Sequence, residues 1–198
     1  MRQNVRNATL VLLCAVGSVA FWSTLVEVLR PVEPHPGLRD DALKDALRRD
    51  RDHRALTYLQ ARKHLFGSVD GDGKRAECIY TGAPLDYFKQ PLPTDAVIEH
   101  AWPLTRLPAE ARTDLHHLYA VDTEARAARL NLHYGKVVFP VWSEGGSRSG
   151  PSSRVKPVFE VRAERRGDIA RAMFSVATMY DLDIPDDDDL DRAVGERG

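Results

Sequence analysis

The sequence predicts an α+β fold, with a core unit of strand, loop, strand and helix and further helices around it. Three observations predict it. Helical periodicity occupies stretches near the two ends, from Asp41 to Phe66 and from Asp168 to Tyr180. Short apolar runs bounded by glycine, proline and aspartate, as strands are, fill the middle. Between Val97 and Gly135 two such runs and one helical run follow in order, with Glu99, His100 and Asn131 inside them. At 198 residues, 43% hydrophobic and 29% charged, the chain suits one domain with a sizeable core.

Each element follows from its residues. Arg2 and Arg6 precede an apolar run at 8–26, and no acid lies among the first six residues. Residues 1–30 are therefore either a cleaved signal peptide, with Ser18-Val19-Ala20 as its small-residue site, or a membrane anchor approaching the ~20 residues a spanning helix needs. Either engages the membrane or the secretion machinery and puts the body outside the cytoplasm: secreted, periplasmic or anchored. Three prolines make 31–40 a linker, and the domain runs over 41–182. One or two amphipathic helices span Asp41 to Phe66, with a break near Asp50. Ser68 to Lys74 is a turn whose aspartates lack the spacing and closing glutamate of a calcium loop. Ala76 to Tyr80 is a strand. Lys136 to Trp142 has strand character, with Pro140 restricting it to an edge or end. Ser143 to Ser153 is expected to be a flexible loop and Pro157 to Arg162 a strand. Ile169, Ala172, Met173, Val176, Met179 and Tyr180 mark the buried face of the last helix, and 183–198 is an acidic, solvated tail. Of two cysteines, Cys14 and Cys78, the second reads as a small buried hydrophobe.

A net charge of −1 gives no overall basic field of the kind that announces nucleic acid. Charge is uneven, however: Arg148 to Arg171 carries seven Arg or Lys against Glu160, Glu164 and Asp168, enough for a local basic face. Glu99 and His100 are adjacent, so from a regular strand they point to opposite sides. A shared site therefore needs the strand to end or bulge there, and Trp102-Pro103 favours an early end. His116 and His117, read as strand residues, also diverge.

Glu99-His100-x-Trp102-Pro103, Asp114-Leu115-His116-His117-Leu118 and Arg129-x-Asn131 resemble the bacterial endonuclease I family, of the His-Me finger class. Glu77 to Gly82, Phe159-Glu160 and Arg166 to Phe174 resemble its flanking segments, so the likeness runs from about Leu56 to Leu182. The resemblance implies a ββα-metal (His-Me finger) nuclease core. It implies a monomeric, metal-dependent, sequence-non-specific endonuclease that meets the phosphate backbone of DNA, or also RNA, and leaves 5′-phosphates. His100 would be the general base. Glu99 and Asn131 would hold a divalent cation, Mg²⁺ first, with Mn²⁺ or Ca²⁺ as substitutes. Arg129 and Arg171 would bind phosphate, beside less specific candidates in Arg106 and Arg112. Of His116 and His117, one would support the site and the other belong to core or surface. One departure stands out. The family pattern Asn-x-x-Arg-x-Asn reads Arg126-Ala127-Ala128-Arg129-Leu130-Asn131 here, and an arginine cannot ligate a cation. Either the metal shifts to Glu99 with Asn131 or Glu124, or Arg126 itself supplies the positive charge, or the site is impaired. Two rival functions follow: a nucleic-acid-binding protein without turnover on the same fold, and a membrane-anchored zinc hydrolase using His100, His116 and His117.

Overall fold

A computed structural model describes residues 35–50, 56–87, 91–92, 94 and 96–184. The expected N-terminal signal or anchor and most of the acidic tail lie outside these. Among the described residues no helix is long and apolar enough to cross a membrane. The chain divides into two units, residues 1–43 and 44–198. In the first, a turn at 35–37 precedes the opening of helix α1 (Asp40–Arg49), which runs on into the second. Asp40 and Asp41 in its first turn and Arg48 and Arg49 in its last suit the helix dipole.

The second unit is mixed helix and sheet, as expected. Helix α2 (Tyr58–His64) starts in a capping box made by Thr57 and Gln60. One wider turn, Leu65–Val69, continues it. Three small sheets follow. Strands β1 (Arg75–Glu77) and β2 (Pro84–Asp86) form one antiparallel pair. Strands β3 (Val97–His100) and β4 (Leu118–Val121) form a second, with Glu99 opposite Tyr119 and His100 opposite Leu118. Helix α3 (Thr123–Arg129) comes directly after β4. The third sheet has the order β5-β8-β7-β6, from His133–Tyr134, Pro157–Glu160, Ser147–Pro151 and Trp142–Glu144. Helix α4 (Arg166–Tyr180) closes the unit and buries Ile169, Ala172 and Val176.

Three expectations fail locally; of the strand expected at Ala76 to Tyr80 only the start forms, as β1, and the rest is a turn. The loop expected at 143–153 is instead a hairpin, β6 to β7, turned by Gly145 and Gly146 at φ of 54° and 90°. Both glycines stand at positive φ, as a two-residue turn matched to strand twist requires. The strand expected from Lys136 begins only at Trp142. Pro140 has no N–H, and the preceding backbone makes irregular bonds, from Val138 and Phe139 to the Pro151 carbonyl.

The main core gathers Leu65, Phe66, Cys78, Tyr80, Ile98, Ala120, Val121, Phe159, Ile169 and Ala172. Large side chains of this kind contribute about 1.5–3 kcal/mol each on burial. A second cluster of Trp102, Leu107, Ala111 and Val176 lies under the loop between β3 and β4. The strand pair thus packs into the main core, while the loop that joins the two strands packs on α4.

Candidate active site

Strand β3 is regular and ends at His100, without a bulge. The chain then bends, and the Ala101 N–H donates to the His117 carbonyl at 2.9 Å. Glu99 and His100 consequently face different surroundings, and the site straddles the strand end.

Glu99 is buried. Its Oε1 accepts from the Tyr80 hydroxyl at 3.0 Å and lies 3.4 Å from Arg129 Nε; its Oε2 lies 3.9 Å from Arg126 Nε. Burial pushes the carboxyl up to about 7, while Arg129, the Tyr80 hydroxyl and Arg126 pull against the rise. Tyr80 arrives through the turn after β1, where the Ile79 N–H donates to the Ala120 carbonyl of β4 at 3.0 Å. Its hydroxyl also meets that of Tyr134 at 2.8 Å.

The two arginines come from α3, one turn apart. Asp122 caps that helix by accepting from the Ala125 N–H at 2.6 Å, and it takes a second bond from the Thr81 hydroxyl. The helix ends where Leu130 turns to φ 51°, a conformation costly for a branched residue. Arg129 holds that reversal, donating Nη1 to the Leu130 carbonyl at 2.7 Å and Nη2 to the Ala101 carbonyl at 2.8 Å. Its guanidinium also sits 4.9 Å above the Tyr134 ring. Arg126 is 53% exposed at its side chain, and its Nη groups bond nothing among the described residues.

His100 is half-buried and within hydrogen-bond distance of the Arg112 carbonyl, 3.0 Å from Nε2. A carbonyl can only accept, so Nε2 carries the proton and a neutral ring leaves Nδ1 with a lone pair. Burial lowers the imidazole to about 4, and the charges of His117, Arg126 and Arg129 add to the effect. The ring is therefore unprotonated at neutral pH, well below the ordinary value of ~6.5. His117 packs beside it, ring centroids 5.6 Å apart, fully buried with Nε2 2.7 Å from the Ala111 carbonyl. His116 is on the surface, its Nδ1 2.7 Å from Asp114. The two lie in a short 3-10 turn, Leu115–His117, rather than on a strand, because the Asp114 carboxylate caps it through the His116 N–H.

The site differs from the expected one in three respects. Arg129 is 1% exposed, with Nη1 and Nη2 bonded to backbone carbonyls and Nε beside Glu99 without a hydrogen bond, so it frames the site and is not open to phosphate. Arg171 is exposed and ion-paired with Asp168 on its own helix, on a different element from the carboxylate and imidazole. Asn131 is exposed, two residues past the end of α3, and its side chain bonds nothing among the described residues. What α3 turns toward Glu99 is Arg126 and Arg129.

A divalent cation fits this set badly. Mg²⁺ is satisfied by one or two carboxylates plus waters, but not beside fixed positive charge. Two like unit charges ~4 Å apart repel by about 4 kcal/mol at an effective dielectric of 20, and a divalent ion at Oε2 would meet two guanidiniums. One carboxylate cannot offset both. The three imidazoles expected to hold zinc do not converge either: His116 faces Asp114, while His100 and His117 each turn a nitrogen to a different backbone carbonyl. Among the described residues no group of three or more His, Cys, Asp or Glu gathers as a metal site.

Sequence reasoning missed Tyr80, Tyr134 and the Arg112 carbonyl. The first lay within a matched segment and was legible there; the other two are brought in only by folding. No curated protein and no solved structure matches the chain. The family model for endonuclease I matches residues 92–193, which take in β3, β4, α3 and α4. With a half-buried imidazole, a buried carboxylate and the arginines of α3 all inside that match, the chain belongs to the endonuclease I family, a family of nucleases that hydrolyse phosphodiester bonds.

Proposed function

We propose that the protein is a largely sequence-non-specific endonuclease that hydrolyses DNA backbones, with His100 as its general base. One observation carries the reading: His100 is held through Nε2 on the Arg112 carbonyl, which leaves Nδ1 bare at the end of β3. Being neutral, such a ring offers that lone pair to an attacking water at neutral pH, as a weaker base than an ordinary imidazole. As the water oxygen forms its bond to phosphorus, its proton passes to Nδ1. The bond from phosphorus to the 3′-oxygen breaks, and that oxygen takes a proton from solvent. The products are a 5′-phosphate and a 3′-hydroxyl, and His100 returns its proton to water. No base-reading element is evident among the described residues, and contact with substrate is chiefly to phosphate and sugar. RNA presents the same diester and is a second substrate of this chemistry.

Plasmid nicking by the full chain tests the reading. Cuts at many unrelated positions are expected, all with 5′-phosphate ends. His100→Ala should lower the rate by about 10²–10⁴-fold, the usual contribution of a positioned base. Unchanged cleavage in that variant would remove the role given to His100. A second reading, binding without turnover, is favoured by Arg126 standing where the family supplies a metal ligand. It predicts salt-sensitive DNA binding and no cleavage by the unmodified chain.

A further inference from the structure

We infer that Arg126 takes the place of a divalent cation at the scissile phosphate, so that this nuclease cuts without a bound metal. The inference rests on the nuclease reading and adds to it the identity of the cationic partner. Three features of the site support it.

The first is the division of labour between the two arginines of α3. Arg129 is buried and spends its nitrogens on the Ala101 and Leu130 carbonyls, with Nε beside Glu99. Arg126, one turn earlier on the same face, is half-exposed. Its Nε is the nitrogen turned toward Glu99, at 3.9 Å, and both Nη groups remain unbonded among the described residues. A guanidinium tethered loosely at Nε presents the fork of its remaining donors to whatever approaches from solvent. That fork matches two oxygens of a phosphate.

The second is the state of the carboxylate. Glu99 accepts from Tyr80 and is flanked by two guanidiniums, so cations already occupy its surroundings. In this arrangement it positions Arg126 and has little attraction left for a metal ion. The third is proximity. Although Glu99 and His100 leave the strand on different sides, Arg126 stands close enough to His100 for its charge to bear on the imidazole, and we place the phosphate held on Arg126 beside a water on His100 Nδ1.

The step balances without a metal. Water supplies the oxygen that bonds to phosphorus and the proton that passes to Nδ1. The fork neutralises charge on the non-bridging oxygens as it builds, and the 3′-oxygen leaves with a solvent proton. Preorganised donors of this type account for about 10²–10³-fold in rate when one is removed.

The test is plasmid nicking by the full chain in EDTA and in Mg²⁺, Mn²⁺ or Ca²⁺, with Arg126→Ala, Arg126→Lys and Arg126→Asn alongside. His100→Ala serves as the control for contaminating nuclease. The unmodified chain should cut in EDTA within a few-fold of its rate in Mg²⁺. Arg126→Ala should lose about 100-fold under all conditions, and added guanidinium at sub-denaturing concentration should restore part of that. Arg126→Lys, which keeps charge but not the fork, should fall between. Melting curves will show whether the variants fold, and guanidinium rescue distinguishes a lost donor from a damaged structure. Cleavage abolished by EDTA and restored by metal, or gained on metal addition in Arg126→Asn, would overturn the inference and leave the nuclease reading standing. Full activity in Arg126→Ala would overturn it as well. No cleavage by the unmodified chain under any condition would overturn both.

Discussion

At the scale of single residues, the site is a matter of which charges are buried and which are free. Arg129 is the cation the fold cannot do without, since it sits between Glu99, Tyr134 and two carbonyls with almost no exposure. Removing one partner of such a buried pair strands the other, which typically costs about 3–5 kcal/mol. Arg129→Ala should therefore lower the denaturation midpoint sharply, whereas Arg171→Ala should change stability by no more than about 0.5 kcal/mol. Equal effects in chemical denaturation would contradict this division. His100 gives a second residue-scale expectation. Its neutral form is favoured in the fold, so its imidazole should titrate near 4 by NMR and hold the Nε2–H tautomer above that. A midpoint near the ordinary ~6.5 would mean that burial does not control it. The sequence identified Glu99 and His100 as a pair, and it placed Arg126 at the point of departure. It did not reveal that Arg129 is buried, because an arginine's burial depends on carbonyls that arrive from distant segments.

At the scale of elements, the site depends on the connection between Tyr80 and the hairpin of β6 and β7. The Ser147 hydroxyl donates to the Tyr80 carbonyl at 2.7 Å, and the turn glycine Gly145 packs directly on the Thr81 backbone. A side chain at Gly145 would both strain the turn and collide with the Thr81 carbonyl. Gly145→Ala should destabilise by about 1–3 kcal/mol and reduce cleavage through displaced Tyr80, even though Gly145 touches no reacting group. A Gly145→Ala variant with unaltered melting and nicking would show that the hairpin does not position the site. Helices were the most legible elements, since their apolar spacing and caps are local; Asp122 at the start of α3 and the apolar face of α4 could be read directly. The hairpin was missed because a run rich in serine and glycine looks like a flexible loop. Gly145-Gly146 was the available signal, and its meaning appears only once β7 pairs with β8.

At the scale of the whole molecule, the nuclease region is a small mixed unit in which one antiparallel strand pair packs into the main core and its connecting loop packs on α4. A net charge of −1 is compatible with the proposed action on a polyanion. Overall charge governs long-range steering, while the reaction as proposed needs one well-placed cation beside one neutral imidazole. The α+β class was readable from composition and pattern. The end of β3 at His100 was readable from Trp102-Pro103; the Arg112 carbonyl that meets the imidazole was not, because folding alone brings it there. Chemical rescue of His100→Gly by added imidazole tests that arrangement most directly. With His100 as the base, the variant should lose at least about 100-fold in DNA cleavage and recover part of it as imidazole is titrated in. Cleavage by His100→Gly at the rate of the unmodified chain, with no response to imidazole, would contradict it.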